Sequence, residues 1–109
     1  MIINILGSKW KLFYKTAEED TLLEDMAGYT DWTTKTIVVE NGFRTTLKDS
    51  EQYQKKVVRH EIIHAYLFES GLYECSSAID DWATNEEMVD WFAFQAPKIY
   101  ETFKQANVI

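Results

Sequence analysis

Cysteine, proline and long apolar segments are scarce in this chain of 109 residues, and the scarcities exclude several classes of protein. Cys75 is the only cysteine, which excludes an internal disulfide framework and a zinc site built from cysteines. No segment approaches the roughly 18 consecutive apolar residues of a membrane helix, so we expect no membrane partner. The apolar residues 1–6 are too few for a signal peptide and lack its basic region. We therefore expect a cytoplasmic protein.

Positive charge is also scarce. The sequence has 11 lysines and arginines against 18 aspartates and glutamates, a net charge of −7. Proteins that bind nucleic acid neutralise phosphates with basic side chains, so we expect no nucleic-acid partner. Hydrophobic residues make up 46% of the chain and aromatic residues 15%, which suffices for one compact core. We expect a single domain over residues 1–109, and the composition leaves the oligomeric state open.

Histidine occurs only twice, as His60 and His64, and Glu61 directly follows the first of them. Side chains at i and i+4 lie on one face of a helix, so both imidazoles can bind the same metal ion. Glu61 is turned away from the two histidines but can reach a water bound to that metal. This H-E-x-x-H pattern is typical of zinc hydrolases, in which the glutamate is the general base. The alternative is a helix whose two histidines are merely packed or exposed.

Turn signals and apolar alternation predict strands in the first half of the chain. Residues 2–6 and 9–14 have the pattern of a hairpin with a two-residue turn at Gly7 and Ser8. The following segment, residues 17–26, fits either a short helix or an ordered loop.

Two further strands are predicted at residues 29–33 and 36–40, separated by a turn. The first half therefore predicts a small antiparallel sheet. The strand at residues 36–40 is either an ordinary internal strand or an edge along which a peptide pairs by strand addition.

Helical spacing begins after this sheet. Asp49 or Ser50 can cap a helix that contains both histidines and stops at Gly71. Apolar residues on its other faces predict burial on most sides; they are Ile62, Ile63, Tyr66 and Leu67.

A loop is predicted from residue 72 to about residue 83, and Thr84 or Asn85 then caps a second helix over residues 86–95. Pro97 suits the first position of a third helix. Strands followed by helices predict an α+β domain.

The third ligand of the metal is expected to be a carboxylate, because catalytic zinc commonly takes three protein ligands and the chain has no third histidine. Glu86 and Asp90 lie at i and i+4 on one helix face, which continues to the small Ala93. Glu87 is the alternative ligand, about 100° around the same helix.

The residues Asn85-Glu86-x-x-x-Asp90-x-Phe92 are similar to the Asn-Glu-x-x-x-Asp motif that follows H-E-x-x-H in gluzincins, the thermolysin-like zinc metallopeptidases. The resemblance implies a zincin-like fold: a small sheet, an active-site helix, a glutamate helix and a C-terminal helix. It implies one Zn²⁺ per chain, bound by His60, His64 and Glu86. It also implies that Glu61 is the general base and acid of peptide hydrolysis, that Asp90 hydrogen-bonds the first histidine, and that the substrate is a peptide or protein.

The chain departs from thermolysin in two ways: it ends soon after the glutamate motif, and it lacks the further histidine that steadies the tetrahedral intermediate. A compact form resembles the one-domain minigluzincins, and Phe92-Ala93 followed by Pro97 resembles the ImmA/IrrE-type peptidases more weakly. Three tyrosines are candidates for the missing histidine's role: Tyr29, Tyr73 and Tyr100. Two alternatives stay open: a zincin-fold binding or regulatory module without turnover, and a latent protease whose residues 103–109 block the cleft.

Overall fold

The computed structural model describes residues 1–42, 47–76 and 81–109. The described chain has a four-stranded sheet followed by three helices, so the predicted α+β class is confirmed. The elements are β1 Ile2–Ile5, β2 Ser8–Lys15, β3 Gly28–Asp31, β4 Thr36–Glu40, α1 Ser50–Glu69, α2 Leu72–Cys75 and α3 Glu86–Gln105, with short 3₁₀ turns at Thr21–Glu24 and Trp82–Thr84. None of the described helices has the length and apolar character of a membrane span.

The β1–β2 hairpin is present, but its turn lies one residue earlier than predicted. Ile5 pairs with Ser8, so the two turn residues are Leu6 and Gly7. Both have positive φ, 49° and 90° respectively. This matches the type I′ turn that suits the twist of a two-residue hairpin. The prediction took Gly7 as the first residue of the turn. It missed that Leu6, the residue before it, also takes the left-handed conformation.

The sheet is mixed, so the predicted antiparallel sheet is wrong. Its strand order is β1-β2-β4-β3, and β2 pairs with β4 in parallel, with Leu12 opposite Ile37. The chain leaves β2, forms β3 at the far edge and returns through a hairpin that places β4 between β2 and β3. The strand Thr36–Glu40 is therefore internal, and the edge on that side of the described sheet is β3.

The main core joins the sheet to α1. It consists of Ile5, Trp10, Leu12, Ile37, Val39, Val57 and Ala65. α1 begins after Asp49, whose side chain accepts a hydrogen bond from the N–H of Gln52 at 3.1 Å, and Gly71 follows its end with φ 82°. From Lys56 to Glu69 the helix is covered on most sides, as expected: Val57, Glu61, Ala65 and Leu67 are buried, the other residues are partly buried, and only Tyr66 is exposed, at 43%.

α3 is one continuous helix, so the predicted break at Pro97 is wrong. Proline lacks the N–H that would bond to the carbonyl of Ala93 four residues earlier. The side chain of Arg59 in α1 donates to that carbonyl at 2.6 Å instead, and the helix continues. The predicted loop before α3 contains α2 and the second 3₁₀ turn, and its residues 77–80 lie outside the described residues.

Candidate metal centre

The two histidines lie one turn apart on α1, with ring centroids 4.8 Å apart. α3 runs antiparallel to α1, since His64 meets Glu86 at the start of α3 and His60 meets Asp90 one turn later. Asn85 caps α3 with its side chain, which fixes the first turn of the helix at the site. The two elements thus bring imidazoles from one helix to carboxylates from the other.

Three ligand atoms converge between the helices. The Nε2 of His60 lies 3.0 Å from Glu86 Oε2, and the Nε2 of His64 lies 3.0 Å from Glu86 Oε1. The two Nε2 atoms are 3.1 Å apart. Metal–ligand bonds of about 2.0–2.1 Å in tetrahedral geometry place neighbouring ligand atoms roughly 3.3 Å apart. His60, His64 and Glu86 are therefore close enough together to bind one metal ion.

The protonation of His60 adds a chemical reason for a cation at this point. Its Nδ1 lies 3.0 Å from Asp90 Oδ1, so the ring N–H donates a hydrogen bond to the ionised carboxylate. With that tautomer, His60 Nε2 carries a lone pair that faces a carboxylate oxygen of Glu86 at 3.0 Å. Two facing acceptors repel each other unless a proton or a metal ion joins them. A metal ion can satisfy both of these atoms and His64 as well.

Asp90 is shared between His60 and a lysine of α1. Lys56 Nζ lies 3.0 Å from the same Oδ1 atom that accepts from His60. Burial acts to raise the pKa of Asp90, but the hydrogen bonds from Lys56 and His60 hold this pKa below its usual value. Asp90 therefore stays ionised and fixes the orientation of the His60 ring. Its role behind a metal ligand stays a prediction.

Glu61 is buried beside the two histidines, with only 7% of its surface exposed. Its Oε1 accepts a hydrogen bond from Thr30 Oγ1 of β3 at 2.9 Å. Burial raises the pKa of the Glu61 carboxyl, while Thr30 and the two histidines oppose the rise. A carboxyl group with a raised pKa is a stronger base, which suits proton transfer at neutral pH.

Gly28 allows α1 to lie this close to β3. A Cβ atom at this position would meet the carbonyl oxygen of Val38 at 3.0 Å, Val57 Cγ1 at 3.1 Å and Glu61 Cγ at 3.4 Å. Any larger residue would push the strand away from the helix that carries Glu61.

A cavity of about 360 Å³ opens over the three ligand residues and Glu61. β3 forms one wall, and α1 and Glu86 contribute the ligands. The lining residues are Met26, Gly28, Tyr29, Thr30, His60, Glu61, His64, Phe68, Tyr73 and Glu86. The aromatic end of the cavity is built by Phe68, whose ring lies between those of Trp32 and Tyr73 at centroid distances of 5.6 and 3.9 Å.

The three candidate tyrosines separate clearly in the structure. Tyr29 lines the cavity, but its hydroxyl donates to Asp20, and burial together with this bond raises the pKa of Tyr29 to about 12. Tyr73 also lines the cavity, and Tyr100 does not. Tyr100 is 56% exposed, far along α3. Tyr73 is thus the candidate whose ring lies at the site without a described hydroxyl partner.

Glu87, the alternative ligand, lies elsewhere. It lines a different cavity on α3, together with Trp82 and Trp91. Glu86 rather than Glu87 is therefore the carboxylate that meets His60 and His64.

Comparison of this chain with protein-family models, curated proteins and solved structures finds no match. Any functional argument therefore depends on the site itself.

Three neighbours of the site were not predicted from the sequence: Thr30, Lys56 and Arg59. Lys56 had a usable signal, because it lies four residues before His60 and so on the same helix face. Thr30 and Arg59 had none, because their partners come from distant segments of the chain.

Proposed function

We propose that this protein is a zinc-dependent peptide hydrolase of gluzincin type with a compact zincin-like fold. The observation that carries the proposal is a buried glutamate, Glu61, next to an imidazole–imidazole–carboxylate triad at the base of an open cavity. A site that only holds a structural metal has no use for a base beside it.

His60, His64 and Glu86 would hold the ion, and a zinc ion in this place supplies a Lewis acid and a water of lowered pKa. Glu61 accepts the proton of the attacking water and later returns it to the leaving amine, so the same carboxyl is first base and then acid. Asp90 keeps the His60 ring in the tautomer that leaves Nε2 free for the metal.

Tyr73 is proposed to stabilise the negative charge that develops on the carbonyl oxygen of the substrate. The hydroxyls of Tyr29 and Thr30 also line the cavity, but they donate to Asp20 and Glu61. A phenol O–H of Tyr73 directed at a developing oxyanion would lower the barrier. This assignment would fill the role of the histidine that the chain lacks.

The edge strand β3 supports a peptide as the substrate. In an antiparallel pair, every second residue of a strand forms backbone hydrogen bonds to its neighbour. Glu40 N–H donates to the Ala27 carbonyl, so residues 29 and 31 are the next residues of β3 that bond to β4. The N–H and C=O groups of Gly28 and Thr30 therefore face the edge. An extended peptide that pairs with them would pass across the cavity that holds the triad.

Nothing in the described structure supports the alternative of a latent protease whose residues 103–109 block the cleft. Residues 103–109 line no part of the cavity over the triad. Phe103 lies 17 residues after Glu86 in the same helix (103 − 86), which corresponds to about 25 Å along its axis. The helix leads the C-terminal segment away from its own site.

The test is elemental analysis of the purified protein combined with cleavage of a mixed peptide library, read by mass spectrometry. We expect close to one zinc per chain, lost in Glu86→Ala and kept in Glu87→Ala, which serves as the matched control. Glu61→Gln should keep zinc and lose cleavage by roughly 10²–10⁴-fold, the usual size of lost acid–base catalysis.

Three outcomes would contradict parts of the proposal. Cleavage by Glu61→Gln at the wild-type rate would remove the mechanism. Zinc without cleavage of any peptide would favour the alternative of a zinc-binding module. A Tyr73→Phe variant that cleaves as fast as the wild type would remove the role given to Tyr73.

A further inference from the structure

Pro97 leaves one backbone carbonyl of α3 without its usual donor within the helix, and a residue of another helix donates to it. In a regular helix the N–H of residue 97 donates to the carbonyl of residue 93, but proline has no N–H and its ring crowds that carbonyl. The Nε of Arg59 donates to the Ala93 carbonyl at 2.6 Å. Ala93 is completely buried, so the loss of Arg59 would take a donor away from a carbonyl that water cannot easily reach.

This bond lies in the same helix–helix contact as the metal ligands. Arg59 directly precedes His60, and Ala93 follows Asp90 by three residues and Glu86 by seven. At 1.5 Å per residue, the bonded carbonyl lies about 10 Å along α3 from the ligand Glu86.

The contact between α1 and α3 depends on polar bonds: Glu86 and Asp90 meet the two histidines, and Arg59 meets the carbonyl of Ala93. The buried residues of α3 are Val89 and Ala93, and a small side chain such as alanine interlocks weakly with a neighbouring helix. Glu86 itself has a side chain that is 69% exposed. A second polar bond, from Lys56 to Asp90, repeats the pattern three residues earlier on both helices.

We propose that Arg59 is a positioning residue of the metal centre. By bonding to the carbonyl that Pro97 leaves open, it sets the register of α3 against α1 and thereby the places of Glu86 and Asp90 beside the histidines. The inference rests on the proposed metal site, but it does not require peptide hydrolysis.

Two substitutions and their combination separate this role from mere satisfaction of a buried carbonyl. Arg59→Met keeps the aliphatic part of the side chain and removes the donor. Pro97→Ala restores the N–H that can bond to the Ala93 carbonyl within α3. The double variant therefore has a satisfied carbonyl but no bond between the helices.

Each variant is measured twice: zinc affinity by competition with a chromophoric chelator, and the midpoint of urea unfolding in metal-free protein. We expect Arg59→Met to lose both stability and zinc affinity, the latter by roughly ten-fold, the lower end of the effect of groups behind metal ligands. Pro97→Ala should leave both near the wild type. The double variant should regain the unfolding midpoint while its zinc affinity stays roughly ten-fold low.

Lys55→Met is the control for the loss of a cation from α1, because Lys55 is exposed and pairs with Glu51 away from the site. Removal of a positive charge near a zinc site raises zinc affinity by itself, so a fall in affinity cannot come from the charge.

The inference is overturned if Arg59→Met binds zinc as tightly as the wild type, or if the double variant regains both stability and zinc affinity. A wild type that binds no zinc overturns the metal site and the inference with it. The unfolding midpoints would in that case still report whether Arg59 and Pro97 are coupled.

Discussion

Asp90 has two donors on one oxygen, and this arrangement decides how strongly His60 can bind a metal. A carboxylate that accepts from a ligand histidine makes the ring more basic and fixes its direction. Lys56 bonds to the same Oδ1 and withdraws part of that charge, but it also prevents the carboxylate from turning away. The hydrogen bond from Lys56 to Asp90 therefore makes His60 somewhat less basic but holds its ring in a fixed orientation.

We expect Asp90→Asn to lower zinc affinity on the order of 10–100-fold while the fold is kept, because the amide can still occupy the place but carries no charge. Competition with a chelator measures the affinity, and circular dichroism checks the fold. Glu87→Gln is the matched control, since it removes a carboxylate from the same helix away from the triad. Wild-type affinity in Asp90→Asn would reduce Asp90 to a surface carboxylate and weaken the gluzincin assignment.

At the scale of elements, α1 is fastened to the sheet at its last residue. Glu69 accepts a hydrogen bond from Trp10 Nε1 at 2.8 Å and pairs with Lys35 Nζ at 2.8 Å. The bond from Lys35 and then the bond from Trp10 hold the pKa of Glu69 below its ordinary value of 4.5. Trp10 lies in β2 and Lys35 in the turn between β3 and β4, so the carboxylate links the end of the helix to one strand and one turn of the sheet.

This link predicts a dependence of stability on pH. A carboxyl group with a lowered pKa in the folded state stabilises the protein above its unfolded pKa, and the contribution is lost as pH falls through the folded pKa. In metal-free protein, Glu69→Gln should unfold at lower urea than the wild type at pH 7, and the difference should shrink below pH 4.5. Glu51→Gln is the matched control, because it removes a carboxylate from the exposed start of α1, away from the sheet. A Glu69→Gln difference that is constant from neutral to acidic pH would contradict the role of the ionised group.

Elements that depend on local signals could be predicted, and those that depend on distant partners could not. The cap at Asp49, the stop at Gly71 and the spacing of His60 and His64 are local, so α1 was predicted correctly, with both histidines on one face. The strand β4 was also predicted at its observed bounds.

The parallel pairing of β2 with β4 had no local signal in the sequence. β3 lies between these two strands in sequence, but in the sheet it lies at the edge, next to β4. The continuation of α3 through Pro97 had none either. It depends on Arg59, which is far away in sequence. The sequence alone shows Arg59 only as a basic residue of another helix. The spacing of the candidate ligands within each helix could be recognised in the sequence, whereas the contact between the helices is a property of the fold.

In the whole molecule, α1 is the central layer between the sheet and α3. Among the described residues, α3 packs extensively against α1 alone, and its second half extends into solvent, where residues 101–109 are all exposed. The metal ligands come from both helices, so an ion at the triad would fasten the outer layer to the central one.

We therefore expect zinc to stabilise the entire fold and not only the site. A ligand that binds the folded state alone adds about 2.7 kcal/mol to the free energy of unfolding at a free concentration of about 100 times its Kd. Thermal unfolding followed by circular dichroism, with chelator or with buffered zinc, should show a Tm that rises with zinc concentration. His64→Ala is the control, because it removes one ligand and should unfold at the same Tm under both conditions. Hydrogen exchange should place the added protection in α3 as well as α1, since zinc joins them. The prediction fails if the wild-type Tm does not change with zinc, or if the added protection is confined to α1. Either result would mean that Glu86 does not hold the ion and that the ion does not join the two helices.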